Sequence, residues 1–413
     1  MKTLAVLLAL LASPAFAVQK IITFSPAMDA AAQARFIDSR GGKQVKQFPF
    51  INAVLADFPG NTRTADIARA PGVAAAEDDE EIYWLSSEES SFAEAAALSA
   101  REIKDGVPRT AQPPSVSTPP APIAPVYFST VSVEGKIDHM PWSVAKLRVP
   151  QAWASTMGKG ARVAVLDTGV DCAHPDLAPN CAAGYNVLAP GSAPYDDEGH
   201  GTHVAGIIAG ARNWSGMVGV APEATVLPVK VLNSSGTGKV SDILDGIGWA
   251  VRQKVDIINM SLGSAKYSEA QGRAVKAARA AGIFVVCAAG NEGGAVDYPA
   301  AFEDSVAVAA MDFSNKITAF SCRGPEIDFI APGVRIYSAA PGDSFALKSG
   351  TSQAAPHISG LAALAVSLGV KGPDALKAAL TKASFNLGLP PEQQGAGAPV
   401  ASHLVSNILS GQH

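Results

Sequence analysis

Residues 163–169 read VAVLDTG, a short run of apolar and β-branched residues that ends on a carboxylate and a glycine. This composition is typical of a buried β-strand that ends at the edge of a sheet. Similar apolar runs follow at residues 226–232, 257–258, 283–288 and 306–309, separated by segments with helical spacing that start at residues 200, 241 and 271. The alternation predicts an α/β fold, with a parallel sheet covered by helices on both faces. Such sheets form their sites at the carboxyl ends of the strands.

This pattern extends from about residue 138 to residue 413, and two regions of different character precede it. Residues 18–84 predict a small α+β unit with the order β-α-β-β-α-β, which is the ferredoxin-like pattern. Residues 85–137 begin with Ser and Glu and contain seven prolines between Pro108 and Pro125. We interpret residues 85–137 as an extended linker, because this composition cannot bury enough apolar surface to fold.

Residues 1–17 have the features of a secretory signal peptide. Lys2 is followed by an apolar run at residues 4–12, and residues 15–17 read AFA, a pattern that signal peptidase recognises. The apolar run is shorter than the roughly 20 residues that a membrane-spanning helix needs. We therefore expect a secreted protein with no membrane association, and the sequence leaves open whether it is periplasmic or extracellular. The net charge of −5, with scattered Lys and Arg, gives no reason to expect nucleic acid as a partner.

The chain contains four cysteines, at positions 172, 181, 287 and 322. An even number in an exported protein favours disulfides. Cys172 and Cys181 are close in sequence, and we predict that they pair. Cys287 lies in an apolar run and could equally be a buried thiol, so the pairing of Cys287 with Cys322 stays open.

Three polar motifs stand where the predicted strands and helices meet. Asp167 ends the first strand, His200 lies in the stretch GHGTHVAG at residues 199–206, and Ser352 lies in GTSQAAP at residues 350–356. Each residue has a purely structural interpretation, such as a turn carboxylate or a helix N-cap. Together they form the set that acyl transfer needs, because a histidine can activate a hydroxyl while a carboxylate orients the histidine.

A fourth polar residue, Asn291, follows the predicted strand at residues 283–288 within the stretch AAGNEG. Its amide and the backbone N–H of Ser352 are candidate donors to an oxyanion. Asn291 could instead be a turn residue, since asparagine is common in turns.

With the order Asp, His, Ser and these motifs, the chain resembles the subtilisin-like serine peptidases. The resemblance covers about residues 138–413. It implies a serine endopeptidase that forms an acyl-enzyme without a cofactor, with Ser352 as nucleophile, His200 as general base and acid, Asp167 as its partner and Asn291 in the oxyanion hole. It also implies that His203 and His174 are not catalytic.

The resemblance further implies a cleft that binds an extended peptide. One side would be Ser261, Leu262 and Gly263, and the other Gly236 and Gly238. Asp297 would line the floor of the main specificity pocket and favour Lys or Arg side chains, although it could also be an exposed loop carboxylate.

The unit at residues 18–84 resembles the propeptides of the family, notably in the stretch FINAVLAD at residues 50–57. This implies a precursor whose propeptide aids folding and inhibits the enzyme before autoprocessing. The alternative is an unrelated binding domain. The sequence does not fix the cleavage point within residues 84–137, and we expect the mature enzyme to be a monomer acting on proteins or peptides.

Calcium as a structural ion is implied by Asp176 and Asn213, which match ligands of a family site, and by Asp138, which falls where a further ligand is found. Backbone carbonyls of Ala211, Ser215 and Met217 would complete the set, because calcium prefers hard oxygen donors. Asp138 and Asp176 could also be ordinary surface acids.

One departure from the family is Gln353, which stands where a methionine is usual. Two other functions remain open at this point. A serine esterase of the α/β-hydrolase type would need the motif Gly-x-Ser-x-Gly, which Ala354 breaks. A catalytically silent binding protein of the same fold would not need the full set of site residues.

Overall fold

A computed structural model of the 413-residue chain describes residues 17–85, 128–133, 136–214 and 216–411. The chain divides into two compact units, Met1–Glu80 and Glu81–His413. The predicted signal peptide lies outside the described residues except for Ala17, and so does most of the predicted linker.

The smaller unit is a four-stranded antiparallel sheet with the strand order β2-β3-β1-β4. Its elements follow the predicted order: β1 (Val18–Phe24), α1 (Ala30–Ser39), β2 (Lys43–Phe48), β3 (Ala53–Phe58), α2 (Thr64–Ala68) and β4 (Val73–Asp78).

Local signals and a small core determine this unit. The side chain of Asp29 caps α1 by accepting a hydrogen bond from the N–H of Ala32 at 2.7 Å. Phe24, Ile37 and Phe58 pack in one fully buried cluster. Each such side chain contributes about 1.5–3 kcal/mol on burial, so the cluster provides much of the stability of the unit.

The larger unit contains the remaining elements. They are β5 (Glu81–Tyr83), β6 (Phe128–Val133), β7 (Lys136–Pro141), α3 (Trp142–Lys146), α4 (Val149–Ala152), β8 (Arg162–Asp167), β9 (Tyr185–Asn186), α5 (His200–Ala209), β10 (Thr225–Lys230), β11 (Thr237–Lys239), α6 (Val240–Gln253), β12 (Ile257–Met260), α7 (Glu269–Ala280), β13 (Phe284–Ala288), β14 (Val306–Met311), β15 (Ile327–Pro332), β16 (Ile336–Ala340), β17 (Ser344–Lys348), α8 (Thr351–Ser367), α9 (Pro373–Lys382), β18 (Ser384–Phe385), α10 (Pro391–Gln394), β19 (Ala398–Pro399) and α11 (Ala401–Leu409).

Its central sheet has seven strands in the order β15-β14-β13-β12-β8-β10-β9, and every pair is parallel. The predicted α/β fold is therefore confirmed. Because the strands run in the same direction, Asp167 at the end of β8 shares an edge with the residues that follow β12 and β13.

The predicted linker is partly wrong at its carboxyl end. Strands β6 and β7 pair as an antiparallel hairpin, from Phe128 opposite Pro141 to Val133 opposite Lys136. The stretch FSTVSV at residues 128–133 is rich in β-branched residues and contains no proline, so it favours a strand despite the proline-rich sequence before it.

Helix α8 packs against α5 and against strands β12 to β15, and nearly all of its residues are buried. It contains Pro356 in its interior. Proline has no N–H, so the carbonyl of Ser352, four residues earlier, lacks its usual donor within the helix. This carbonyl must therefore find a donor elsewhere.

Cys172 and Cys181 form a disulfide, with their Cα atoms 5.6 Å apart. Cys287 and Cys322 are both buried free thiols, so the pairing that the sequence left open does not form. Within the described parts of the chain, no helix has the length and apolar character needed to cross a bilayer.

Candidate active site

Asp167 and His200 form a buried pair at the carboxyl edge of the central sheet. Asp167 is the last residue of β8, His200 is the first residue of α5, and Nδ1 of His200 lies 2.8 Å from Oδ1 of Asp167. The side chains are 0% and 1% exposed. Nδ1–H donation to the carboxylate selects the tautomer in which Nε2 carries the lone pair, so the imidazole can act as a base through Nε2.

Further hydrogen bonds hold this carboxylate. The backbone N–H of Thr168 donates to Oδ1 of Asp167 at 2.7 Å. Burial raises the pKa of Asp167, and the charge of His200 and the hydrogen bonds from His200 and Thr168 oppose that rise. The hydrogen bonds from His200 and Thr168 therefore favour the ionised form of Asp167, against the effect of burial.

Asp196 fixes the loop that leads into α5. Its carboxylate accepts hydrogen bonds from the hydroxyls of Thr168 at 2.8 Å and Thr202 at 2.6 Å and from the N–H of Gly199 at 2.7 Å. Asp196 could not be identified from the sequence, because it lies in a polar stretch with no motif of its own.

Ser352 is the second residue of α8, and its side chain is almost fully buried. Its hydroxyl donates to the carbonyl of Ser261 at 3.0 Å, and the hydroxyl of Ser261 donates to the carbonyl of Ser352 at 2.8 Å. Ser261 directly follows β12. Residues 261 and 352 are therefore joined by two reciprocal hydrogen bonds at the sheet edge.

Asn291 follows β13 and is held by the residue before Ser352. Its Oδ1 accepts the N–H of Thr351 at 2.8 Å and the hydroxyl of Thr351 at 2.9 Å. Because Thr351 engages the amide oxygen, the amide directs its N–H donors to the other side. No sequence pattern indicated this role for Thr351, although the residue lies inside the motif GTS.

An extended stretch of the larger unit, Glu81–Trp84, lies between the glycines that were predicted to form the two sides of a cleft. Strand β5 pairs antiparallel with β11, and Ile82 lies opposite Gly238. The N–H of Trp84 donates to the carbonyl of Gly236 at 3.1 Å, and the N–H of Gly263 donates to the carbonyl of Trp84 at 3.1 Å.

Asp297 lines a small cavity beside this stretch, together with Gly263, Asn291 and Ser352. Its side chain is buried, so the alternative of an exposed loop carboxylate is wrong. Burial, the charge of Glu292 and a hydrogen bond with Glu292 raise the pKa of Asp297 to about 7.

The candidate calcium ligands are only partly brought together. Oδ1 of Asp176 accepts a hydrogen bond from Nδ2 of Asn213 at 2.8 Å, and Oδ2 accepts the N–H of Met217 at 2.7 Å. The side chain of Asp138 and residue Ser215 lie outside the described part of the chain. Carboxylate and amide oxygens suit calcium, but both oxygens of Asp176 already serve N–H donors.

The other two histidines of the motifs bond to backbone carbonyls. Nε2 of His203 lies 3.0 Å from the carbonyl of Ile336, and Nε2 of His174 lies 3.0 Å from that of Ser344. Gln353 is fully buried, and its side-chain amide has no hydrogen-bond partner among the described residues.

Comparison with known proteins gives one family. The model of the subtilase family of peptidases matches residues 158–397. The chain is 35% identical over 357 residues to subtilisin E of Bacillus subtilis, covering 84% of this chain and 80% of that protein. It is 40% identical over 287 residues to an intracellular serine protease of Paenibacillus polymyxa, covering 65% of this chain and 88% of the relative. It is 42% identical over 235 residues to a subtilisin of Bacillus pumilus, covering 55% of this chain and 85% of the relative.

Proposed function

The chain belongs to the subtilase family and is a serine-type endopeptidase, and from this premise we propose that Ser352, His200 and Asp167 are its catalytic triad. The observation that carries the proposal is the buried contact of 2.8 Å between His200 and Asp167, at the same sheet edge as Ser352. Family membership favours a peptidase over a serine esterase. The complete set of site residues argues against a silent binding protein.

The proposed reaction has two stages. The hydroxyl of Ser352 attacks the peptide carbonyl while Nε2 of His200 takes its proton, and Asp167 stabilises the resulting imidazolium. The C–N bond then breaks, and His200 gives the proton to the leaving amine. Water attacks the acyl-enzyme in the same way and releases Ser352.

The developing oxyanion needs donors, and we assign this role to the amide of Asn291 and the backbone N–H of Ser352. Thr351 supports the assignment because it holds Oδ1 of Asn291 and so sets the direction of the N–H group. Loss of a side-chain donor of this kind costs about 10²–10³-fold in kcat in subtilisin. Asn291→Ala should fall in that range.

Protein or peptide substrates would bind as an added strand, between Gly236 and Gly238 on one side and Ser261, Leu262 and Gly263 on the other. The hydrogen bonds to Trp84 support this mode, because they use backbone groups of Gly236 and Gly263. Asp297 would then face the substrate side chain next to the cleaved bond and favour Lys or Arg.

We further propose that the protein is a secreted zymogen. Residues 18–84 would be the propeptide and residues 85–127 the linker, and the mature amino terminus would lie within residues 84–137. The position of Glu81–Trp84 against Gly236, Gly238 and Gly263 supports inhibition by the propeptide's own tail. The mature enzyme would be a monomer.

Calcium would be a structural ion and would play no part in catalysis. Asp176 and the amide oxygen of Asn213 would hold it, which requires the Asn213 side chain to turn its oxygen toward the ion in place of Nδ2. Asp138 would add a ligand from β7. A chelator should therefore lower the Tm of the wild-type protein.

Labelling with a serine-hydrolase probe and sequencing of the amino termini test the central proposal. The wild type should be labelled and shortened, and Ser352→Ala should be unlabelled and full length. A wild type that stays unlabelled and full length contradicts both the triad and the autoprocessing.

A further inference from the structure

A chain of buried hydrogen bonds connects the interior of α8 to the nucleophile. The hydroxyl of Ser359 donates to Oδ1 of Asn259 at 2.8 Å, and Nδ2 of Asn259 donates to the hydroxyl oxygen of Ser261 at 2.9 Å. The hydroxyl of Ser261 donates to the carbonyl of Ser352 at 2.8 Å. Asn259, Ser261 and Ser359 are fully buried, and water does not reach them.

The last of these hydrogen bonds replaces one that the helix lacks. Pro356 cannot donate to the carbonyl of Ser352, and a buried carbonyl without a donor costs free energy. Ser261 supplies the missing donor from β12, across 91 positions of sequence. The peptide group that follows the nucleophile is therefore held by the hydroxyl of Ser261.

Ser359 holds the inner end of this chain of hydrogen bonds. Its O–H donates to Oδ1 of Asn259, so the amide turns its N–H group toward Ser261. A hydroxyl that accepts from this amide must point its own proton elsewhere, and the carbonyl of Ser352 receives it. If the amide rotated by half a turn, Ser261 would donate to Oδ1 of Asn259 and the carbonyl of Ser352 would lose its donor.

We propose that Ser359 and Asn259 are positioning residues, which orient the hydroxyl of Ser261 so that it fixes the first turn of α8 and the hydroxyl of Ser352. Neither residue touches the substrate, and the proposal rests on the assignment of Ser352 as nucleophile. Their removal should slow the chemical step and leave substrate binding unchanged, because the chain reaches the cleft only at the hydroxyl of Ser261, whereas a peptide bound as an added strand pairs with backbone groups.

The test compares Ser359→Ala, Ser359→Thr and Asn259→Asp, each expressed as the 413-residue precursor and assayed after autoprocessing, with the active-site concentration determined by probe titration. Loss of one hydrogen bond of this kind corresponds to a decrease of about three- to tenfold in the rate of the chemical step. We expect kcat for a peptide amide to fall by about that factor in Ser359→Ala, with KM unchanged within about twofold. Ser359→Thr keeps the hydroxyl and should retain most of the activity.

Asn259→Asp has the same shape as asparagine but offers no N–H group to Ser261, so its kcat should fall at least as much. This variant decides the question alone if Ser359→Ala does not fold. Ser367→Ala is the matched control, because its hydroxyl lies on the same helix and donates to the carbonyl of Leu364 at 2.7 Å. Ser367→Ala should at most lower the Tm, and its kcat should equal that of the wild type.

The proposal is overturned if Ser359→Ala or Asn259→Asp lowers the Tm but keeps the wild-type kcat, since the hydrogen bonds would then serve stability alone. It is also overturned if Ser367→Ala lowers kcat equally. The failure of the underlying function is a separate outcome, in which the wild type itself neither hydrolyses the peptide nor reacts with the probe.

Discussion

The charge of Asp297 gives a prediction about the choice of substrate and its dependence on pH. Asp297 is 7% exposed and lies against Gly263 and Gly290, whose missing side chains leave room for it. One carboxyl oxygen each of Glu292 and Asp297 and the sulfur of Cys322 lie within 4.8 Å of one another, so two carboxyl groups share this site. Because the pKa of Asp297 is raised to about 7, its charge changes near neutral pH.

The direction of the effect follows from the sign of this shift. Below about pH 7 Asp297 is mostly neutral, and above it the carboxylate adds a negative charge to the cavity. A Lys or Arg side chain stays positive throughout this range. The preference for a basic residue at the cleaved position should therefore increase as the pH rises from 6 to 8.

The size of the effect can be bounded. Two unit charges about 4 Å apart attract by about 4 kcal/mol at an effective dielectric constant of about 20. Desolvation of the substrate's cation offsets part of this attraction. We expect a net gain of about 1.4 kcal/mol, which corresponds to about a tenfold change in relative kcat/KM.

The assay measures kcat/KM at pH 6 and pH 8 for two peptides that differ only in Arg or Leu before the cleaved bond. The ratio of Arg to Leu should rise about tenfold in the wild type and stay flat in Asp297→Asn. Asp304→Asn is the control, since Asp304 is paired with Arg279 away from the cavity. A preference for Leu at both pH values that Asp297→Asn leaves unchanged would refute the reasoning.

Three further predictions concern stability and oxidation. Burial lowers the pKa of His357 to about 4, so as the pH falls the unfolded chain binds its proton before the folded protein does. In the Ser352→Ala background this histidine alone should reduce the free energy of unfolding by about 1.6 kcal/mol between pH 6.5 and pH 5. In urea titrations the difference between Ser352→Ala and Ser352→Ala/His357→Gln should change by that amount, and a difference that stays constant with pH would contradict the assignment. The wild type should keep its activity in mild peroxide while Gln353→Met loses it, because methionine oxidises readily and glutamine does not; equal losses in the two proteins would contradict this. A chelator should lower the Tm of the wild type but not that of Asp176→Asn, and a wild-type Tm that does not respond would exclude calcium at Asp176.

Local sequence was sufficient for strands β8, β10, β12, β13 and β14 of the central sheet and for naming the candidate triad. The apolar run at residues 163–166 and its successors indicated parallel strands, and strand polarity then brings Asp167 to the same sheet edge as the residues that follow β12 and β13. Ser352 could be placed at the start of a helix because its motif precedes an alanine-rich stretch. These inferences depend on periodicity and on the order of motifs, both of which a single sequence contains.

The remaining features depend on contacts between distant segments, which no local pattern records. Burial of Asp297 requires Gly263 and Gly290 to lie beside it, and the free state of Cys287 and Cys322 depends on where strand β13 and the segment between β14 and β15 place the two sulfurs. The clearest case is the carbonyl of Ser352. The sequence alone determines that Pro356 deprives this carbonyl of a donor, because proline has no N–H. Only the tertiary structure decides that Ser261 replaces the donor, because the packing of β12 against α8 brings the two residues together.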